Sequence, residues 1–318
     1  MVIFKKELLN LIDNELKKYL NKDDNLYNAS KHLTFAGGKR IRPYLTLLVY
    51  KLKKDDLEKA LPGAVSVELI HNYTLIHDDI MDNDDLRRGK PTVHKVFGVP
   101  IAILAGDLLY AKAFEAISNI EDNKKAHEVL KILSKACVEV CEGQAMDMEF
   151  ERRFPNMDEY LEMIRKKTGA LLEASAKIGG ILADFNEEEL KAIEEYSKLI
   201  GLNFQIQDDI LDLIGDKNKI GKPVGSDIRE GKKTIIIIHA LENLDEEKKG
   251  RLLSLLGKKD ITDEEIKEAI EILKPSIEYA KKLMEENNKK ALKALEIFDK
   301  DRRKDLEDLA NFIISRIY

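Results

Sequence analysis

Across 318 residues the chain carries 59 acidic and 53 basic side chains, a formal net charge of −6, with hydrophobic residues at 44% and only 7 prolines. That balance leaves no overall positive field for nucleic acid, so any anion site has to be built locally. No apolar run nears the roughly 20 residues of a membrane span, the first segment is too interrupted by charge for a signal peptide, and Cys137 and Cys141 lie four residues apart on one predicted helix rather than in a disulfide framework. A cytoplasmic protein without stable membrane insertion is expected.

No strand-turn-strand rhythm appears, and the chain is read as one all-α domain over residues 1–318. Residues 2–20 form an amphipathic pattern, and 25–35 a short second one. Then comes Gly37-Gly38-Lys39-Arg40-Ile41-Arg42-Pro43: two glycines that let the backbone turn tightly, three cations, and a proline suited to a first helical turn. Backbone amides at a helix start beside Lys and Arg make an anion site.

From Leu57 the pattern is helical through Met81 and ends on Asp78, Asp79 and Asp82. Positions 78 and 82 share a helix face, with Asp79 beside them. Two carboxylates about 6 Å apart repel by roughly 3 kcal/mol at an effective dielectric of about 20, and a helix C-terminus disfavours them further. His71 falls within about 20° of the Asp78 face, two turns earlier. Residues 83–98 read as a loop whose adjacent Arg87 and Arg88 point different ways and suit two anions.

Helical patterns follow over 99–119, nearly uncharged at first and so expected to be central, and over 124–151 and 158–182. The last contains Lys167 and Thr168 before an apolar stretch. Another, 187–213, carries Gln205 and a second triad, Asp208, Asp209 and Asp212, with the same spacing as the first. A long loop from Gly215 to Gly231 places Lys222, Asp227 and Lys232 in or near it; loops of that length are usually functional. The run Ile235 to Ile238 is read as a buried helix because a lone strand would lack a partner, and 246–318 as a series of short amphipathic helices. Oxygen-only ligands in two triads imply a hard ion such as Mg2+, which usually shares its shell with water and phosphate.

The pieces GGKRIRP, HDDIMD with RRG, KKTGALL, FQIQDDILD and GKPVGSDIREGKKT occur in one order over residues 37–234. Together they resemble the trans-isoprenyl diphosphate synthases, head-to-tail prenyltransferases of the isoprenoid synthase fold. The resemblance implies a large antiparallel helical bundle around a deep apolar cavity, a homodimer, and Mg2+ as cofactor. It implies that both aspartate clusters meet across that cavity, Asp78, Asp79, Asp82, Asp208, Asp209 and Asp212 serving magnesium on an allylic diphosphate. Arg87, Lys167, Lys222 and Lys232 would neutralise that diphosphate, and Thr168 and Gln205 would set dipoles near the developing cation. Isopentenyl diphosphate would take Lys39, Arg42, His71 and Arg88.

In the family the fifth position before the first aspartate often forms the chain-length floor; here it is Tyr73, followed by the small Thr74, which implies farnesyl and geranylgeranyl products. The first triad has two residues between its aspartates and not four, unlike bacterial farnesyl synthases. A class I terpene cyclase shares the fold but not the GGKR and RRG pieces. A catalytically inactive regulatory subunit is expected to show broken aspartate motifs, and both are intact.

Overall fold

The computed structural model describes residues 4–215 and 224–315. Among them the elements are α1 (Lys6–Tyr19), α2 (Asn25–Thr34), α3 (Ile41–Tyr50), α4 (Leu61–Met81), a hairpin of β1 (Leu86–Arg87) and β2 (Lys90–Pro91), α5 (Val93–Phe97), α6 (Val99–Ser118), α7 (Asn123–Phe150), α8 (Met157–Ile164), a π-helical turn (Arg165–Gly169), α9 (Ala170–Leu182), α10 (Glu187–Ile214), α11 (Ser226–Glu230), α12 (Ile235–Asn243), α13 (Glu246–Leu255), α14 (Asp263–Ala294) and α15 (Lys300–Ser315). The all-α expectation holds, the short hairpin excepted.

Packing divides the chain into two compact units, one of Met1–Cys137, Leu171–Glu194 and Glu296–Leu306, the other of Val138–Ala170, Glu195–Leu295 and Glu307–Tyr318. In the first, α4 has α6 along its length and α1 and α3 on its other sides. Surrounded in this way, α4 buries apolar residues all round, Val65, Leu69, Ile70 and Ile76 among them, and takes Glu68, Asn72 and Asp79 inside as well. Each fully buried aliphatic side chain contributes roughly 1.5–3 kcal/mol, which offsets the cost of those polar groups only where they find partners.

Helix α6 is less central than its composition suggests. It buries Ala102, Ala105, Leu109 and Ala113, yet leaves Val99, Ile103 and Leu104 exposed at 44%, 43% and 51%. Low charge in its first turns thus marks an apolar stripe at the surface of the single chain rather than burial on all sides.

In the second unit the isoleucine run opens α12, with all four side chains buried and Thr234 accepting the Ile237 N–H as its cap. Burial here overrides the β preference of branched side chains. The expected series of short C-terminal helices is instead dominated by α14, 32 residues long. It starts at a capping box of Thr262 and Glu265 and buries Ile266, Ala269, Leu273, Ile277, Ala280 and Met284 at helical spacing. Pro275 lies on its exposed side, where water can satisfy the carbonyl that loses its partner.

The predicted helix over 158–182 is interrupted by the π-helical turn at Arg165–Gly169. Such turns occur mostly as single bulges at functional sites. This one is packed against Gly143 of α7: a Cβ there would lie 2.3 Å from the Lys167 backbone nitrogen and 2.7 Å from its Cα. Gly143→Ala is therefore expected to destabilise by about 1–3 kcal/mol through forced backbone movement. Gly250→Ala on α13, where a Cβ meets open space, is expected to stabilise by about 0.5–1 kcal/mol. Urea unfolding of both variants checks the pair, and a neutral Gly143→Ala would show that the close approach is not constraining.

Candidate active site

The end of α4 sorts its three aspartates. Asp79 is 1% exposed, and its Oδ1 accepts from Arg87 Nε at 2.6 Å and pairs with a terminal Arg87 nitrogen at 2.5 Å. Its Oδ2 is buried without a hydrogen-bond partner. Burial pushes the Asp79 carboxyl up and Arg87 opposes the rise. Asp78 is half-buried and Asp82, the C-cap residue, is exposed. Arg87, expected at a diphosphate, donates here to Asp79 and, at 3.3 Å, to Asp84.

Arg87 and Arg88 separate because the hairpin turns between them and Lys90. Leu86 pairs with Pro91 and Arg87 with Lys90, leaving a two-residue turn of Arg88 and Gly89 at φ 54° and 73°, the backbone that matches strand twist in tight hairpins. Arg88 donates to the Gly37 carbonyl. A Cβ on Gly38 would sit 2.8 Å from the Arg88 guanidinium carbon, and Gly38 has φ +121°. The backbone conformation favours glycine there, while the guanidinium, at the end of a flexible side chain, could shift from a Cβ.

Arg42, in the first turn of α3, donates to His71 Nε2 at 3.1 Å. Arginine has no acceptor, so His71 receives this bond and carries no proton on Nε2. Burial, then Arg42 and Arg88, hold His71 well below its ordinary value, and burial lowers Arg42 to about 10. The structure therefore brings Arg42, His71 and Arg88 into one electropositive cluster, with the exposed Lys39 beside Gly38. The Tyr73 ring meets His77 of α4 at 4.7 Å and Tyr110 of α6 at 5.1 Å, and Tyr110 meets Phe114 at 5.0 Å.

In the second unit the π-helical turn presents Lys167 to Asp147 and Thr168 to Gln205, whose Oε1 accepts from Thr168 Oγ1 at 3.3 Å. Gln205 Nε2 donates to Asp209 Oδ1 at 2.9 Å, and the Tyr160 hydroxyl to Asp209 Oδ2 at 2.8 Å. Asp209 is buried, and burial raises its carboxyl to about 7. Asp212 accepts from the Ser226 hydroxyl and, at 3.0 Å, from the Asp227 N–H, and so holds the start of α11. Lys232 lies just beyond α11, its backbone N–H on the Asp227 carbonyl at 2.9 Å and its amine 2.8 Å from Glu230. Asp208 is half-buried. Lys222 lies outside the described residues.

Among the described residues no three His, Cys, Asp or Glu side chains form a ready-made metal cage. The donors that remain are carboxylate oxygens, one or two at a time, the set that suits a hard cation sharing its shell with water and phosphate. Sequence reasoning missed Asp147, Tyr160, Gly143 and Ser226. Asp147 and Gly143 share the helix 124–151 at a spacing of one turn, the one signal available; nothing in the sequence marks Tyr160.

A group whose carboxyl is raised on folding favours the native state less as pH climbs from the unfolded value toward the folded one. Stability of the metal-free protein is expected to fall between about pH 4 and about pH 7 on account of Asp209, and Asp209→Asn to flatten that part of the curve. Urea midpoints measured from pH 4 to 8 decide it; parallel curves for the two proteins would contradict the assignment.

The family model described as Polyprenyl synthetase matches residues 23–273. A short chain isoprenyl diphosphate synthase of Methanocaldococcus jannaschii is 74% identical over 318 residues, covering 100% of this chain and 97% of the relative. The crystal structure of a geranylgeranyl pyrophosphate synthetase from Pyrococcus horikoshii superposes with a TM-score of 0.93 at 50% identity, over 98% of this chain and 97% of that one. A polyprenyl synthase from Caulobacter crescentus, crystallised with calcium and isoprenyl diphosphate, superposes with a TM-score of 0.88 at 30% identity, over 98% and 96%. Matched by the family model over most of its length and by these relatives nearly end to end, the chain belongs to the polyprenyl synthetase family.

Proposed function

We propose that this chain is a short-chain trans-prenyltransferase that condenses isopentenyl diphosphate with dimethylallyl, geranyl or farnesyl diphosphate, giving farnesyl and geranylgeranyl diphosphate. The observation that carries this reading is the pairing of two chemistries. Arg42, His71 and Arg88 form an electropositive cluster suited to one diphosphate, and the aspartate triads suit a metal-bound one. A terpene cyclase, with one diphosphate substrate, has no use for the first. The sequence relative and the two structures described above carry isoprenoid diphosphate chemistry in their names.

Lys39, Arg42, His71 and Arg88 are assigned to isopentenyl diphosphate. Asp78, Asp82 and Asp208 are assigned as the carboxylates that hold Mg2+, which when bound neutralises the pyrophosphate leaving group. Asp79, Asp209 and Asp212 complete the motifs, and the partners they already hold suit them to fixing the outer carboxylates in place. Arg87, Lys167, Lys222 and Lys232 add positive charge to the allylic diphosphate. Thr168 and Gln205 are assigned to the developing allylic cation: the bond from Thr168 and the bond to Asp209 fix the Gln205 amide, so its dipole is preorganised. In this reading the carbon–oxygen bond of the allylic diphosphate breaks, the isopentenyl double bond supplies the electrons of the new carbon–carbon bond, and the proton then lost passes to the released pyrophosphate. Water has to be kept from the cation throughout.

The apolar stripe of Val99, Ile103 and Leu104 on α6 is assigned to the interface of a homodimer. No described helix is long and apolar enough to cross a membrane, and a cytoplasmic location is proposed.

Incubation with isopentenyl diphosphate, Mg2+ and each allylic primer in turn, followed by chain-length analysis, tests the reading; no product with any primer would refute it. Asp78→Ala and Asp208→Ala are expected to cut turnover by about 10²–10³, the loss typical of removing charge stabilisation, with helix content unchanged. Near-normal rates in both would refute the metal assignment. Tyr73→Ser is expected to lengthen the main product by about one isoprene unit, a helical turn being about 5.4 Å. An unchanged product spectrum would place the floor elsewhere, with Tyr110 and Phe114 the next rings to test.

A further inference from the structure

Between Lys39 and Arg42, the side chain of Arg40 goes the other way. It is 7% exposed, and all of its nitrogens face inward: Nε donates to Asp13 at 3.0 Å, one terminal nitrogen to Glu68 at 2.8 Å and the other to the Thr34 carbonyl at 2.5 Å. Glu68 is 2% exposed and also receives Asn72 Nδ2 at 3.2 Å, while Asn72 Nδ2 bonds the Glu68 carbonyl at 2.8 Å. The Arg40 backbone is left-handed, φ 52° and ψ 33°, a region that residues other than glycine adopt only when their surroundings hold them there. Arg40 is also the N-cap of α3, so the turn it makes sets where that helix begins and where Arg42 lies.

A buried ion pair is a poor means of stabilising a fold, since an apolar pair of the same volume does as well or better. What this one does is geometric. Drawing Arg40 inward leaves Lys39 exposed on one side, and on the other puts Arg42 against His71. The same loop brings Gly37 and Gly38 onto Arg88. Every member of the cationic cluster is within two residues of this turn or in contact with a residue that is.

We propose that Arg40 and Glu68 are positioning residues for isopentenyl diphosphate: their buried pair locks the left-handed turn that spaces Lys39, Arg42 and Arg88 around the anion. The proposal rests on the assignment of that half-site made above. The test is the double variant Arg40→Met with Glu68→Met, which removes both charges and keeps the volume. Asp13 and the Thr34 carbonyl lose a donor in this variant, so a modest fall in its thermal midpoint is expected, with the fold retained. KM for isopentenyl diphosphate is expected to rise on the order of tenfold from misplaced contacts, while kcat and KM for the allylic substrate stay within about twofold.

A parental KM for isopentenyl diphosphate in the double variant overturns the proposal, as does a fall in kcat with that KM unchanged. Lys39→Ala and Arg42→Ala, measured alongside, separate the two levels. If they raise this KM and the double variant does not, the positioning role alone fails; if they leave it unchanged, the half-site assignment fails with it. Should the double variant not fold, Arg40→Lys replaces it. A lysine keeps the charge opposite Glu68 but cannot reach Asp13, Glu68 and the Thr34 carbonyl together, so a smaller rise in the same KM is expected and a parental value overturns the proposal.

Discussion

Two carboxylates one helical turn apart, at the end of a helix whose dipole already opposes them, are the constraint around which the first unit is organised. The protein resolves it by division of labour. Of the three aspartates at the end of α4, the middle one is taken inside and tied to Arg87, which anchors the hairpin after the helix. The flanking two are left at the surface or half-buried. Asp79 thus spends its charge inside the protein, and what it secures is the position of its neighbours.

The cationic cluster obeys the same logic with the signs exchanged. Arg40, Arg42 and Arg88 stand close enough to influence one another, and Glu68 is the nearest buried counter-charge. Glu68 and Asp13 both bond Arg40, so the positive charge that the cluster presents is that of Arg42 and Arg88. His71 cannot add to it, because burial and its arginine neighbours keep it neutral. A neutral imidazole accepting from Arg42 fixes that guanidinium without adding repulsion, a better use of histidine here than a fourth cation. Two guanidinium groups so placed suit an anion.

Much of this was legible in the sequence because the signals were local. The i, i+4 spacing of the aspartates, the paired glycines before three cations, and the adjacent arginines at a turn all describe chemistry within one or two helical turns. The run Ile235 to Ile238 was readable as a helix for a negative reason, the lack of a strand partner. What stayed hidden depended on approach between distant segments. The π-helical turn at Arg165–Gly169 requires α7 to come close at Gly143, and no residue pattern within 158–182 states that. The bond from Arg87 to Asp79 depends on a hairpin that folds Arg87 back over the helix end. Burial of Tyr160 onto Asp209 joins residues 49 positions apart, and a tyrosine in an amphipathic helix carries no mark of such a partner. The length of α14 is not legible because the segment 246–318 reads as a series of short amphipathic helices, with nothing local to show that one of them runs for 32 residues.

The two triads share a spacing but not a solution, and the difference has a chemical consequence. Asp79 is held by a full positive charge, which works against the upward push of burial. Asp209 is held by a phenol and an amide, neutral donors that cannot do so to the same degree, and its carboxyl rises to about 7. Near neutral pH the second triad therefore carries less than its formal negative charge, since the buried member is partly protonated. The Gln205 amide that donates to Asp209 also accepts from Thr168, so the protonation of one aspartate is coupled through a single side chain to the orientation of a dipole beside Lys167. A cation held near Asp208 would favour the ionised form of Asp209 by simple attraction and so strengthen the bond from Gln205. The second triad is in this sense a linked set, whereas in the first the buried aspartate is matched by the charge of Arg87.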